Sequence, residues 1–217
     1  MIYTDSVGWP DDTFVMPTSA HGDHQARWKK MRDDCLDIAM PLVKSRNCCV
    51  DAGAYIGVWS VALARLFEQV VAFEPSDGVR DMLAHNTSGL KNIVVRPEAL
   101  GDRTGPLMMH SPNSALMARS VHPYETPSGW PVFVAHMVPL DIFKIEPGLI
   151  KINCDGMDSL ILLGARRMIE AHKPVLIVED KPDLVKRAGA PPLNDVLKLF
   201  DYTERGRIES FIVLSPN

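Results

Sequence analysis

Residues 51–57, Asp51-Ala-Gly-Ala-Tyr-Ile-Gly57, decide the fold, because they join two apolar segments of different period. Before them, Asn47–Asp51 (NCCVD) reads as a short buried strand that ends in an acid. After them, Gly57–Phe67 (GVWSVALARLF) reads as a helix with a buried face. Gly53 can take the backbone angles of a tight turn and lets a ligand approach the main chain. Gly57 lets the helix begin close to the sheet, and a helix N-terminus offers unpaired N–H groups.

Outward from this turn the alternation continues. Gln69–Glu74 (QVVAFE) predicts a second strand, Asp77–Thr87 a second helix and Lys91–Arg96 a third strand. Leu149–Cys154 (LIKINC) predicts a fourth strand, followed by a helix over Asp158–Ala171 and the strand Pro174–Glu179. A polar segment, a helix at Leu193–Phe200 and two strands around Arg205–Gly206 complete the pattern. Upstream, residues 1 to about 22 read as an irregular lead-in. From His24, Trp28, Met31, Cys35, Ile38, Ala39 and Leu42 recur at helical spacing, and Pro41 should end that helix near Met40. The reading is an α/β, Rossmann-like doubly wound sheet with an N-terminal lead-in and helix over 1–46 and the main domain over 47–217.

Residues 104–140 interrupt the alternation as a β/loop insertion after the third strand, with short strands expected at Gly105–His110 and Val132–Val138. The stretch between them is too long for an ordinary connection and suits a lid over a substrate. Tyr124 and Trp130 could stack on a ligand there or tie the loop down, and His110, His122 and His136 belong to or flank it.

Composition narrows the functions. The chain has 217 residues, 46% of them hydrophobic, and 23 Lys and Arg against 27 Asp and Glu. A net charge of −4 with mixed signs gives no basic field for nucleic acid. No apolar run approaches the roughly 20 residues of a membrane span, and the acidic N-terminus is not a signal peptide, so a cytoplasmic location is expected. Cys35, Cys48, Cys49 and Cys154 show no C-x-x-C spacing and read as reduced core thiols. No histidine pair has zinc-site spacing.

The turn itself excludes two nucleotide motifs. G-x-G-x-x-G would need glycine at Tyr55 and Val58, and a P-loop would need G-K-[ST]. What remains is acid-x-Gly-x-x-x-Gly, with a second acid, Glu74, closing the next strand. This suits a ligand that has no pyrophosphate but carries a cationic amino-acid part and a ribose, the pattern of S-adenosylmethionine (SAM) enzymes.

The order VDAGAYIGVWSVALA, VVAFEPSDGVRDMLAHN, PEALGD, VPLDIF, LIKINCDGMDSLILLGA and PVLIVED resembles FkbM-type methyltransferases over residues 48 to about 180. The resemblance implies the class I SAM-dependent methyltransferase fold, SAM as cofactor, and O-methylation of a sugar or other small molecule. It departs from the family at Tyr55, where Asn is usual, at Asn153 in place of Asp, and at Asp155 and Asp158 in place of Glu. The expected cofactor contacts are Asp51, Gly53, Ala54, Tyr55, Gly57, Glu74, Pro75, Ser76, Ala99 and Asn153. Asp155 leads as the group that meets the acceptor hydroxyl, with Glu179 and Asp180 next. The same three acids could instead ligate Mg²⁺, or Glu179 and Asp180 could be a solvated strand end beside Lys181. A SAM-fold binding or scaffold protein without turnover is the alternative, with Asn153 its support. The expected partner is a small-molecule or glycan hydroxyl, not nucleic acid or membrane.

Overall fold

The computed structural model describes the backbone at residues 3–9, 12–17, 22–110, 119–120 and 132–217, and side chains at 27–110 and 132–217. In chain order the strands are β1 (Tyr3–Trp9), β2 (Asp12–Pro17), β3 (Cys48–Ala52), β4 (Gln69–Phe73), β5 (Ile93–Arg96), β6 (Ala99–Leu100), β7 (Gly105–His110), β8 (Arg119–Ser120), β9 (Val132–Val138), β10 (Leu149–Ile152), β11 (Val175–Glu179), β12 (Tyr202–Ile208) and β13 (Phe211–Pro216). The helices are α1 (Gly22–Ala39), α2 (Val58–Ala64), α3 (Asp77–Asn86), α4 (Asp158–Gly164), α5 (Arg166–His172), α6 (Pro182–Arg187) and α7 (Leu193–Leu197).

Seven strands form the central sheet in the order β12-β13-β11-β10-β3-β4-β5. The five from β11 to β5 are parallel, and β13 runs antiparallel to both of its neighbours. β3, β10 and β11 are buried along their whole length, as helices on both faces require. Alternation divides their side chains between two cores. Val50, Ala52, Ile150, Ile152, Leu176 and Val178 face α4 and α5. Cys49, Leu149, Val175 and Ile177 face Met31, Cys35 and Ala39 of α1 and Trp59 and Leu63 of α2. The expected Rossmann-like sheet is the observed one.

The insertion's β7, β8 and β9 join β6, just ahead of it, in a second, four-stranded sheet, β6-β9-β7-β8, with β7 and β9 at their expected bounds. The lid expected over 111–130, with His122, Tyr124 and Trp130, lies outside the described residues apart from the backbone of β8.

Four local expectations are corrected. The lead-in contains an antiparallel hairpin, β1 with β2, built from β-branched and aromatic residues that its Asp and Pro content had outweighed. The helix expected over 158–171 is two, parting after Gly164, where a Cβ would stand 1.8 Å from the Gly101 carbonyl. The polar segment after β11 contains α6, with Pro182 in its first turn. Arg205–Gly206 is a bulge inside β12, where Gly206 packs on Ile38 of α1, and the hairpin turns at Glu209–Ser210. Among the described residues no helix is long and apolar enough to cross a membrane. Cys35, Cys48, Cys49 and Cys154 are free thiols.

Candidate functional site

Parallel register sets Asp51 of β3 directly opposite Lys151 of β10. Each is a lone charge in an apolar strand, and they are 0% and 1% exposed. Lys151 Nζ lies 2.8 Å from Asp51 Oδ1 and donates to the carbonyls of Ala52 (3.2 Å) and Gly53 (2.8 Å). Ser60 Oγ on α2 donates to Asp51 Oδ2 at 2.6 Å. Two buried charges are tolerable only with this degree of satisfaction. Asp51 is therefore engaged inside the protein and is absent from the cavity wall, whereas Lys151 reaches it.

The turn after β3 is held by the next strand. Gly53 and Ala54 donate their N–H groups to the Phe73 carbonyl, and Tyr55 donates its own to Glu74 Oε2 at 3.1 Å. Ser76 N–H meets Glu74 Oε1 at 2.9 Å. The N–H groups of Gly53, Ala54 and Tyr55 are thus already committed. Gly53 has φ +74°, and a Cβ there would stand 2.0 Å from the Asn153 carbonyl, so its smallness first serves the packing of β3 against the β10 turn. Tyr55 also has positive φ, at 54°, and its ring meets Trp28 of α1 edge-on at 6.2 Å. Glu74 is buried, which pushes its carboxyl up to about 7, against the lowering effect of its two backbone hydrogen bonds and of Lys151.

The turn after β10 is held from within. Asp158, the first residue of α4, accepts the N–H groups of Cys154 (3.1 Å) and Gly156 (3.0 Å). Burial raises its carboxyl to about 6. Asp155 sits at the apex with φ 48°. At the end of β11, Glu179 is 3% exposed. Its Oε1 is 2.8 Å from Lys181 Nζ and accepts Ser210 Oγ–H at 3.3 Å, while Oε2 is buried with no hydrogen-bond partner among the described residues. Burial raises the Glu179 carboxyl, only partly offset by Lys181.

These strand ends enclose a cavity of about 390 Å³, within the roughly 300–1,000 Å³ of small-molecule sites, at the carboxyl edge of the sheet. Of the expected residues, Gly53, Ala54, Tyr55, Glu74, Pro75, Ala99, Asn153, Asp155 and Glu179 line it. Asp51, Gly57, Ser76 and Asp180 do not. Asp180 pairs instead with Arg207 at 3.0 Å, so the expected Mg²⁺ set of Asp155, Glu179 and Asp180 is not assembled. Among the described residues no group of three His, Cys, Asp or Glu could hold a metal, and the Mg²⁺ expectation is withdrawn. Lys181 pairs with Glu179 as the alternative expected, but at a buried rather than a solvated strand end. It lines the cavity together with residues not anticipated: Lys151, Trp28 of α1, and Ser210 and Phe211 of the last hairpin. Lys151 had a signal in sequence, since LIKIN and NCCVD each place one charge in an apolar strand. The hairpin residues had none.

Several solved structures of similar architecture bear the name methyltransferase or methylase. An FkbM methyltransferase from Methylobacillus flagellatus superposes with a TM-score of 0.51 and 22% identity, covering 79% of this chain and 43% of that one. The chain thus spans under half the length of that relative. A Streptococcus mutans protein assigned as a methyltransferase, solved with S-adenosylhomocysteine (SAH), gives 0.53 and 12% identity over 84% and 96% of the two chains. A ribosomal protein L11 methylase from Lactobacillus delbrueckii subsp. bulgaricus gives 0.53 and 17% over 91% and 81%. The fold is that of the class I methyltransferases. No family model and no curated protein matches the chain.

Proposed function

We propose that this protein is a SAM-dependent methyltransferase acting on a hydroxyl of a sugar or other small molecule. The observation that carries the reading is Glu74, a buried carboxylate on the wall of a ligand-sized cavity, fixed by two backbone N–H groups beside the Gly53 turn. Each of its oxygens keeps a lone pair for one ribose hydroxyl. The residues present fit the cofactor: main chain at 53–55, Glu74 and Pro75 beside them, and Ala99 and Leu100 along the wall. SAM, when bound, supplies a methyl group on a sulfonium. The chain must add alignment of the acceptor and removal of its proton. Asp155 and Glu179, facing one cavity, are the acids for that work. The net charge of −4 supports a small acceptor over a polyanionic one.

Calorimetric titration with SAH tests the reading. Glu74→Ala should weaken binding by about 1–3 kcal/mol, the worth of hydrogen bonds to a charged group. Ribose hydroxyls donate to the ionised carboxylate, so affinity should fall as pH drops below about 7, approaching tenfold per unit. The folded-state value is raised, so the folded chain holds the extra proton between the ordinary glutamate range and about 7. Stability without ligand should therefore decline as pH rises through that window. Binding of NAD without SAH would overturn the proposal, and tight SAH binding with no turnover on any hydroxyl would favour the scaffold alternative.

A further inference from the structure

The strongest unexplained feature of the cavity wall is the second oxygen of Glu179. The side chain is 4% exposed, Oε1 is engaged by Lys181 and Ser210, and Oε2 has no hydrogen-bond partner among the described residues. A buried carboxylate oxygen without a donor is costly, and a ligand that brings a donor removes that cost. Lys181 is arranged to complement it. Its ammonium spends one N–H on Glu179, keeps two more donors, and rides on a stem that is 42% exposed. Ser210 donates its hydroxyl hydrogen to Glu179, which leaves its oxygen lone pairs as acceptors. The wall therefore offers an acceptor with a donor close beside it. One isolated hydroxyl satisfies only part of that pattern, and an anion would meet Glu179 and Asp155 with the wrong sign.

We propose that Glu179, Lys181 and Ser210 form the acceptor subsite, and that it takes a ligand with two neighbouring hydroxyl groups. One hydroxyl donates to Glu179 Oε2 and the other accepts from Lys181. The assignment rests on the cavity being a methyl-transfer site, and it narrows the acceptor class to vicinal diols such as sugar rings present. If the donating hydroxyl is the one methylated, its oxygen gains the methyl carbon as the carbon–sulfur bond breaks. Its proton passes to Glu179, and the sulfonium becomes a neutral thioether. Desolvation and the nearby Asp155 charge both favour the protonated carboxyl in that role.

The test uses the full chain, with and without SAH, titrated with cis vicinal cyclohexanediol and with cyclohexanol. Wild type should bind the diol about tenfold or more tightly than the mono-alcohol. Glu179→Leu should abolish that preference. Lys181→Met, at a half-exposed side chain, should reduce it several-fold, and SAH affinity should stay within about twofold in both variants. Equal binding of the two alcohols by wild type, no measurable diol binding, or a preference undiminished in Lys181→Met would overturn the assignment. Loss of SAH affinity in Lys181→Met would also overturn it, because the pair would then belong to the cofactor. Diol preference without SAH binding would break the methyltransferase reading alone, and SAH binding without diol preference would break this one alone.

Discussion

The turns after β3 and β10 lie side by side, and both bend the chain through positive φ: Gly53, Tyr55 and Gly57 in one, Asp155 and Gly156 in the other. In both, glycine stands where a foreign carbonyl approaches, Asn153 toward Gly53 at 2.0 Å and Leu184 toward Gly156 at 2.4 Å from a Cβ position. They differ in who satisfies the main chain. The first turn gives its N–H groups to Phe73 of β4 and Glu74 just after it, and its carbonyls at Ala52 and Gly53 to Lys151 on β10. The second gives its N–H groups to Asp158, in its own helix. One is ordered by its neighbours and the other by itself. The first turn is therefore only as well formed as the sheet around it, while the second carries its own support.

Three substitutions test that contrast, in descending effect. Lys151→Ala should cost about 3–5 kcal/mol, because it strands the buried Asp51 charge and releases two carbonyls of the first turn. Denaturant unfolding reads the loss, and a change under 1 kcal/mol would mean the pair does not hold the turn. Gly53→Ala should cost about 2–4 kcal/mol, combining left-handed backbone strain with a clash against the Asn153 carbonyl. It should also lower SAH affinity, since the turn and the β10 end must part to admit the methyl group. Asp158→Ala should cost only about 0.5–2 kcal/mol, as loss of a capping carboxylate does. Its effect should stay local: amide exchange should quicken at residues 154–157 and remain unchanged at 53–55. Equal quickening in both turns would erase the distinction drawn here.

What the sequence disclosed follows the same division. Signals that are local were legible: the Gly53 and Gly57 turn, the strand acids Glu74 and Glu179, and the bounds of β7 and β9. Contacts that depend on tertiary neighbours were not. Asp51 reads as a ligand contact until register places Lys151 opposite it. Asp180 reads as Glu179's partner in a site, but it pairs with Arg207 of β12 while Glu179 belongs to the cavity wall. The break between α4 and α5 depends on the Gly101 carbonyl, and the Gly206 bulge on Ile38, neither of which local periodicity can show. Ser210 and Lys181 became candidates only when the last hairpin was seen to close the cavity.

That closure bears on how the protein is made. Arg27 of α1 forms a two-pronged ion pair with Glu209 of the β12–β13 turn, 182 positions away, and both residues belong to the cavity wall. During synthesis the central strands can pair long before residue 209 leaves the ribosome, yet the pocket lacks one side until the hairpin docks between β11 and solvent. The cavity wall is thus complete only once the last hairpin has docked. A chain that stops short of the hairpin has the five parallel strands, the glycine turn and Glu74, and lacks the wall that Glu209, Ser210 and Phe211 supply.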